Sequence, residues 1–255
     1  MAYSCASFQR VVVISTLICT VTALLHTTRA SADEIADLRF KNAPDVPVDP
    51  QWIRLDEKSQ VWVDKANRTV IVAGEVGLRR GPLEMFACPA GTKEHEAIVA
   101  VKARPFVVHA GLLSIGAKPG HPARFQPEYA PATGDTIEVR VRWQTEQNEL
   151  QTKEAQSWVR DAKTDKPMDQ QWVFAGSSLH KDPATGKEYY AADAGDMICV
   201  SNFPTAMLDV PVSSSHSDEA LLFEAHTDQI PPRGTKVQLL LRVRQHLPEE
   251  PAPPK

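Results

Sequence analysis

The 255-residue chain carries 28 Lys and Arg against 32 Asp and Glu, a net charge of −4, and 20 prolines. A mildly acidic surface of mixed sign lacks the basic stripe that nucleic-acid binding requires. The length supports one domain, at most two, and the spread of prolines favours loops and short elements over long helices.

The N-terminus has the form of an export signal. Arg10 is the only charge in the first 28 residues and precedes the apolar run Val11–Leu25. That run is shorter than the ~20 apolar residues a spanning helix needs, and its Thr and Ser residues dilute it further. It ends at Ala30-Ser31-Ala32, a small-x-small cleavage pattern, so a signal peptide over 1–32 is expected, with cleavage after Ala32. An uncleaved membrane anchor is the weaker alternative. Removing 1–32 takes away Arg10 and Arg29 and no acid, leaving 26 basic residues against 32 acidic. No later segment is apolar enough to span a bilayer, so the mature chain is expected to be soluble, periplasmic or secreted.

Residues 33–50, punctuated by Pro44, Pro47 and Pro50, predict an extended lead-in to a globular domain over 51–245. Gln60–Asp64 and Thr69–Ala73 are β-branched runs joined by Lys65-Ala66-Asn67-Arg68, which predicts a hairpin with Asn67 as turn former. Pro105 opens a helix that Lys118-Pro119-Gly120 stops. Ile137, Val139, Val141 and Trp143 alternate with Glu138, Arg140 and Arg142, the pattern of a half-buried strand. Its return strand is expected across Gln151–Val159. Further strands fit Trp172–Ala175, Met197–Val200, Ala220–Ala225 and Val237–Val243, and 246–255 is a Pro-rich tail expected to be disordered. Strands outnumber helices in irregular order, which predicts an α+β fold: a single domain with a mainly antiparallel sheet and a few short helices.

Two of the four cysteines, Cys5 and Cys19, leave with the signal. Cys88 and Cys199 remain in a disulfide-permissive compartment, as one long-range bridge or as two separate buried thiols. The densest polar cluster is Thr92-Lys93-Glu94-His95-Glu96, close behind Cys88. Cys and His suit a transition metal, and Glu96 offers a third ligand, but the spacing matches no standard zinc pattern. A His95–His109 pair is disfavoured. A strand over 95–101 carries His95 ~20 Å from its end, whereas a returning helix climbs only ~6–8 Å by His109. His109 shares a helical face with Phe106, Ala110 and Leu113, which predicts a core histidine bonded to a backbone carbonyl. Asp182–Lys187 reads as a capped turn, and Asp193 and Asp196 as loop carboxylates rather than a Ca²⁺ site. Ser213–Asp218 holds the residue types of a hydrolase triad, but side by side they cannot adopt its geometry.

Two segments, Gly81–Glu96 and Val108–Gly120, resemble the YdjY-like domain family of bacterial exported proteins, most firmly across roughly 74–120. Trp172–Ser177 and Asp196–Asn202 resemble its longer members. The resemblance implies an export-associated domain, sometimes found with redox-type neighbours such as iron–sulfur modules, and carries no established activity. It raises a redox or metal role for Cys88 and His95, although the chain has no iron–sulfur cysteine set of its own. The leading expectation is a non-catalytic exported domain that binds a partner protein, an envelope component or a small ligand. The alternative is a metal-binding or thiol-redox protein using Cys88, His95 and Glu96 or Cys199, with Lys93, Glu94 and His109 as a functional polar cluster. Ligand, partner, cofactor and oligomeric state stay open.

Overall fold

The computed structural model describes Met1 and residues 45–212 and 223–244. The signal segment, most of the lead-in, Ser213–Asp218 and the Pro-rich tail lie outside these residues.

In chain order the strands are β1 (Ile53–Arg54), β2 (Val61–Asp64), β3 (Thr69–Val76), β4 (Met85–Pro89), β5 (Ala97–Val101), β6 (Thr136–Gln144), β7 (Leu150–Glu154) and β8 (Val159–Asp161). After these come β9 (Trp172–Phe174), β10 (Leu179–Lys181), β11 (Glu188–Tyr190), β12 (Ile198–Cys199), β13 (Leu208–Asp209), β14 (Phe223–Ala225) and β15 (Lys236–Val243). One α-helix, α1 (Pro105–Ser114), stands among the described residues, with 3₁₀ turns elsewhere.

The β2–β3 hairpin forms as its composition predicts. Asp64 accepts hydrogen bonds from the Asn67 backbone N–H (3.0 Å) and side-chain amide (2.7 Å), which closes the turn. The three strands with the strongest alternation then make the rigid wall. β15 lies between β3 and β6, and Val70–Leu241–Val139 and Val72–Leu239–Val141 form inward rungs, all of them buried. Each rung sets three branched side chains on one face of neighbouring strands, the packing that gives a sheet its stability.

The sheet does not end there. Its order runs β3-β15-β6-β9-β13-β12-β4-β5, and β5 pairs back onto β3, so eight strands close into a barrel. The expectation of a mainly antiparallel sheet is therefore refined: most pairs are antiparallel, but β4–β5 and β12–β13 are parallel and the sheet has no free edge in this ring. Closure buries both faces of β4 and β5, which explains their uninterrupted apolar runs.

Two sequence expectations change. The return strand stops at Glu154, because the 3₁₀ turn Ala155–Trp158 drives Trp158 into the core against Phe86 and Trp143; β8 pairs instead with β14. The buried side of α1 is Val108, Gly111 and Leu112, packed on β2 and β3, so Phe106, Ala110 and Leu113 face outward. The end of the lead-in packs on the sheet. Val46 is buried, and the Gln238 amide donates to the carbonyls of Val46 and Pro47 (3.1 Å each).

Candidate functional site

The two parallel strand pairs carry unusually short crossovers. Residues 90–96 join β4 to β5, and residues 200–207 join β12 to β13, where such connections ordinarily take about a dozen residues or more. The polar cluster singled out in the sequence holds these crossovers together.

Lys93 is the hub. Its Nζ lies 3.0 Å from Oδ1 of Asp196, 3.8 Å from Glu96 and 4.0 Å from Glu84, and 4.5 Å above the ring of Phe203. Asp196 is buried, and its other oxygen accepts a hydrogen bond from Thr205. Burial by itself would lower the Lys93 pKa, but the ion pair with Asp196, reinforced by Glu96 and Glu84, outweighs it and holds the ammonium charged. Gly195 adopts a φ of +145°, and the Lys93 chain crosses it so closely that a Cβ there would sit 2.8 Å from Cγ and Cδ. Only glycine suits both demands.

Beneath the clamp lies a small apolar cluster of Met85, Cys88, Ala97, Cys199 and Ala206, with Phe203 packed against it. Both cysteines are free and buried, not bridged. The strand register gives the reason. Cys199 stands across from Met85, three residues from Cys88; at ~3.3 Å per residue that offset exceeds the reach of a disulfide. The Cys199 Sγ rests 3.5 Å from the Met85 sulfur. Burial pushes the Cys88 thiol up to about 11 and the Cys199 thiol well above its usual range, so both are held as neutral thiols.

The remaining predicted residues scatter. Glu94 turns back to accept the Gly91 N–H, which lowers its pKa. The His95 side chain is 76% exposed, 3.8 Å from Glu96. Cys88 and His95 thus point into different surroundings, one sealed and one wet. Among the described residues no three His, Cys, Asp or Glu side chains converge as a metal-holding group. Asp193 and Asp196 part company. Asp193 takes the Arg104 guanidinium and the Phe106 N–H (3.1 Å) at the start of α1.

His109 is half-buried, its ring packed edgewise on Phe174 and Tyr190. Tyr190 Oη lies 2.9 Å from His109 Nδ1 and donates to the Gly176 carbonyl at 3.0 Å. The phenol has one proton, and a carbonyl can only accept, so Nδ1 carries the imidazole proton and donates to Oη. Burial lowers the His109 pKa and so favours this neutral form. A backbone hydrogen bond with Gly176 also acts on the ring, in the sense that raises its pKa. Around it the surface is apolar: Phe106 is 46% exposed, Leu113 47% and Leu179 63%. Phe106 meets Tyr190 edge-on at 5.8 Å, and Leu179 is the cross-strand neighbour of Tyr190.

Sequence reading missed Glu84, Thr205 and the buried Asp209. Asp209 accepts from Asn202 (3.0 Å) and from the Val210 N–H (2.8 Å) through one oxygen, and its other oxygen is buried. Burial lifts its pKa to about 7. A single Asp between Leu208 and Val210 carries no pattern that would mark it.

Residues 61–242 match the family model of the YdjY domain. No curated protein and no solved structure matches the chain.

Proposed function

Starting from the fact that this chain belongs to the YdjY domain family, we propose that it is an exported, non-catalytic domain that binds a partner protein of the cell envelope through the outward face of α1. One observation carries the reading: the exposed side chains of Phe106, Leu113 and Leu179 form an apolar surface beside the buried Tyr190 and the half-buried His109. Large apolar side chains grouped on a surface and rimmed by polar residues are the mark of an interaction site. The rim here is the Arg104–Asp193 pair and the Lys181–Glu188 cross-strand pair. Export follows from the Arg10–Ala32 segment, and no helix of the described residues is long and apolar enough to cross a membrane.

A thiol-redox or metal role for Cys88 and His95 has less support, since it requires a reachable thiolate and a converging ligand set. In the barrel Cys88 belongs to the apolar floor beneath Lys93.

Site-specific photo-crosslinking tests the proposal. A benzophenone side chain at Leu113 is expected to give one discrete adduct in cell envelopes, whereas the same group at exposed Thr152 on β7 gives none. Excess unlabelled protein should compete the adduct away, and excess Phe106→Asp protein should not. Equal competition by both, or labelling at Thr152 alone, contradicts the reading.

A further inference from the structure

One depression lies at the barrel end opened by the β2–β3 turn, and three arginines contribute to its lining. Its volume is about 250 Å³, and Arg68, Arg242, Arg244, Asn67 and Glu138 line it. Arg242 stands across from Thr69 on β3 and from Glu138 on β6. Glu138, the one acid in the lining, is 3.6 Å from Arg140, and neither Arg242 nor Arg244 has a carboxylate partner among the described residues. Arg68 is anchored: its Nε donates to the Ile115 carbonyl at 3.0 Å, and its backbone is left-handed with φ 49°. On a chain of net charge −4, three cations grouped around a single engaged acid are a local reversal of sign.

We propose that this depression binds a phosphate group. Each guanidinium offers paired N–H donors in a rigid fork that matches a phosphate's oxygens. The Arg242 and Arg244 forks, with Arg68 beside them, suit a tetrahedral dianion with several acceptor oxygens better than a carboxylate, and they repel any metal cation. The phosphate is either the free ion or the headgroup of an anionic phospholipid; both present the same oxygens. The site is separate from the α1 face and does not depend on the partner-binding proposal.

Calorimetric titration of the mature protein with inorganic phosphate at about 0.15 M ionic strength, where the Debye length is about 8 Å, reads the site directly. One saturable site is expected, weakened about tenfold or more in Arg242→Glu/Arg244→Glu, whose side chains hold nothing else in place. Lys181→Glu/Lys187→Glu removes the same charge from the β10–β11 hairpin and should leave the affinity within about twofold, since distant surface charges are screened. Co-sedimentation with phosphatidylglycerol vesicles, against phosphatidylcholine alone, separates the sources. Sedimentation that needs Arg242 and Arg244 assigns the lipid headgroup; saturable phosphate binding without sedimentation assigns the free ion. The proposal is overturned if neither probe binds, if the arginine variant binds like the parent, or if both charge variants weaken binding equally.

Discussion

Asp209 shows how one side chain sets the response of the protein to pH. Its carboxyl is sealed in the β13 region and titrates near 7, against an ordinary value of 3.8. Between those values the folded chain holds a proton that the unfolded chain has released, so stability declines as pH rises from about 4 to about 7. The full effect is on the order of 4 kcal/mol. His109 acts in the opposite sense: burial lowers its pKa, so its contribution is lost as pH falls through the folded value. Asp209→Asn leaves His109 in place and isolates the carboxyl. In urea melts between pH 5 and 8, the parent should lose stability relative to the variant as pH rises. A constant difference across that range would contradict the burial argument. At this scale the sequence was half legible. Density of charge pointed to Lys93 and Glu96, but Asp196, which pairs with Lys93, and Thr205, which donates to Asp196, lie about a hundred residues away, and nothing local links them. His109 does pack its ring on Phe174 and Tyr190, but its expected companions Phe106, Ala110 and Leu113 face outward, because apolar spacing identifies a face without saying whether it is covered.

Among the elements, α1 was legible from Pro105 and the Lys118-Pro119-Gly120 stop, since both act through local backbone geometry. Its N-terminal cap was not, because the capping carboxylate comes from Asp193, far along the chain. Asp193→Ala removes both the Arg104 pairing and the acceptor for the Phe106 N–H. A loss of about 1 kcal/mol is expected by chemical denaturation, the usual cost of an uncapped helix start. A neutral result would show that Arg104 and the first turn hold without it. β4 escaped the sequence reading for a different reason. Met85-Phe86-Ala87-Cys88-Pro89 is short, does not alternate and ends in proline, yet it lies in the ring between β12 and β5. Strands covered on both faces lose the period-two signal that made β6 and β15 plain.

The molecule as a whole depends on ring closure, a long-range property that no single segment encodes. The seam is β3 against β5, where Gly74 pairs with Val101. A Cβ at Gly74 would lie 2.7 Å from the Ala100 carbonyl oxygen and 2.9 Å from a Val99 methyl. Gly74→Val should therefore destabilise by about 3 kcal/mol or more, seen as a lowered denaturation midpoint, because the obstructing atom is backbone and cannot swing aside. A midpoint like the parent's would mean that the seam can part without loss. Closure also brings the β4–β5 and β12–β13 crossovers side by side, with Lys93 and Asp196 as the clamp and the two cysteines as its floor. That clamp is the centre of the structural account: it assigns Cys88 and Cys199 to packing. Alkylation with iodoacetamide, without reductant and followed by peptide mapping, tests it most directly. Cys88 and Cys199 should stay unmodified in the folded protein and both should label as free thiols once it is unfolded. Recovery of a Cys88–Cys199 linked peptide, or rapid labelling of Cys88 in the native state, would contradict the account.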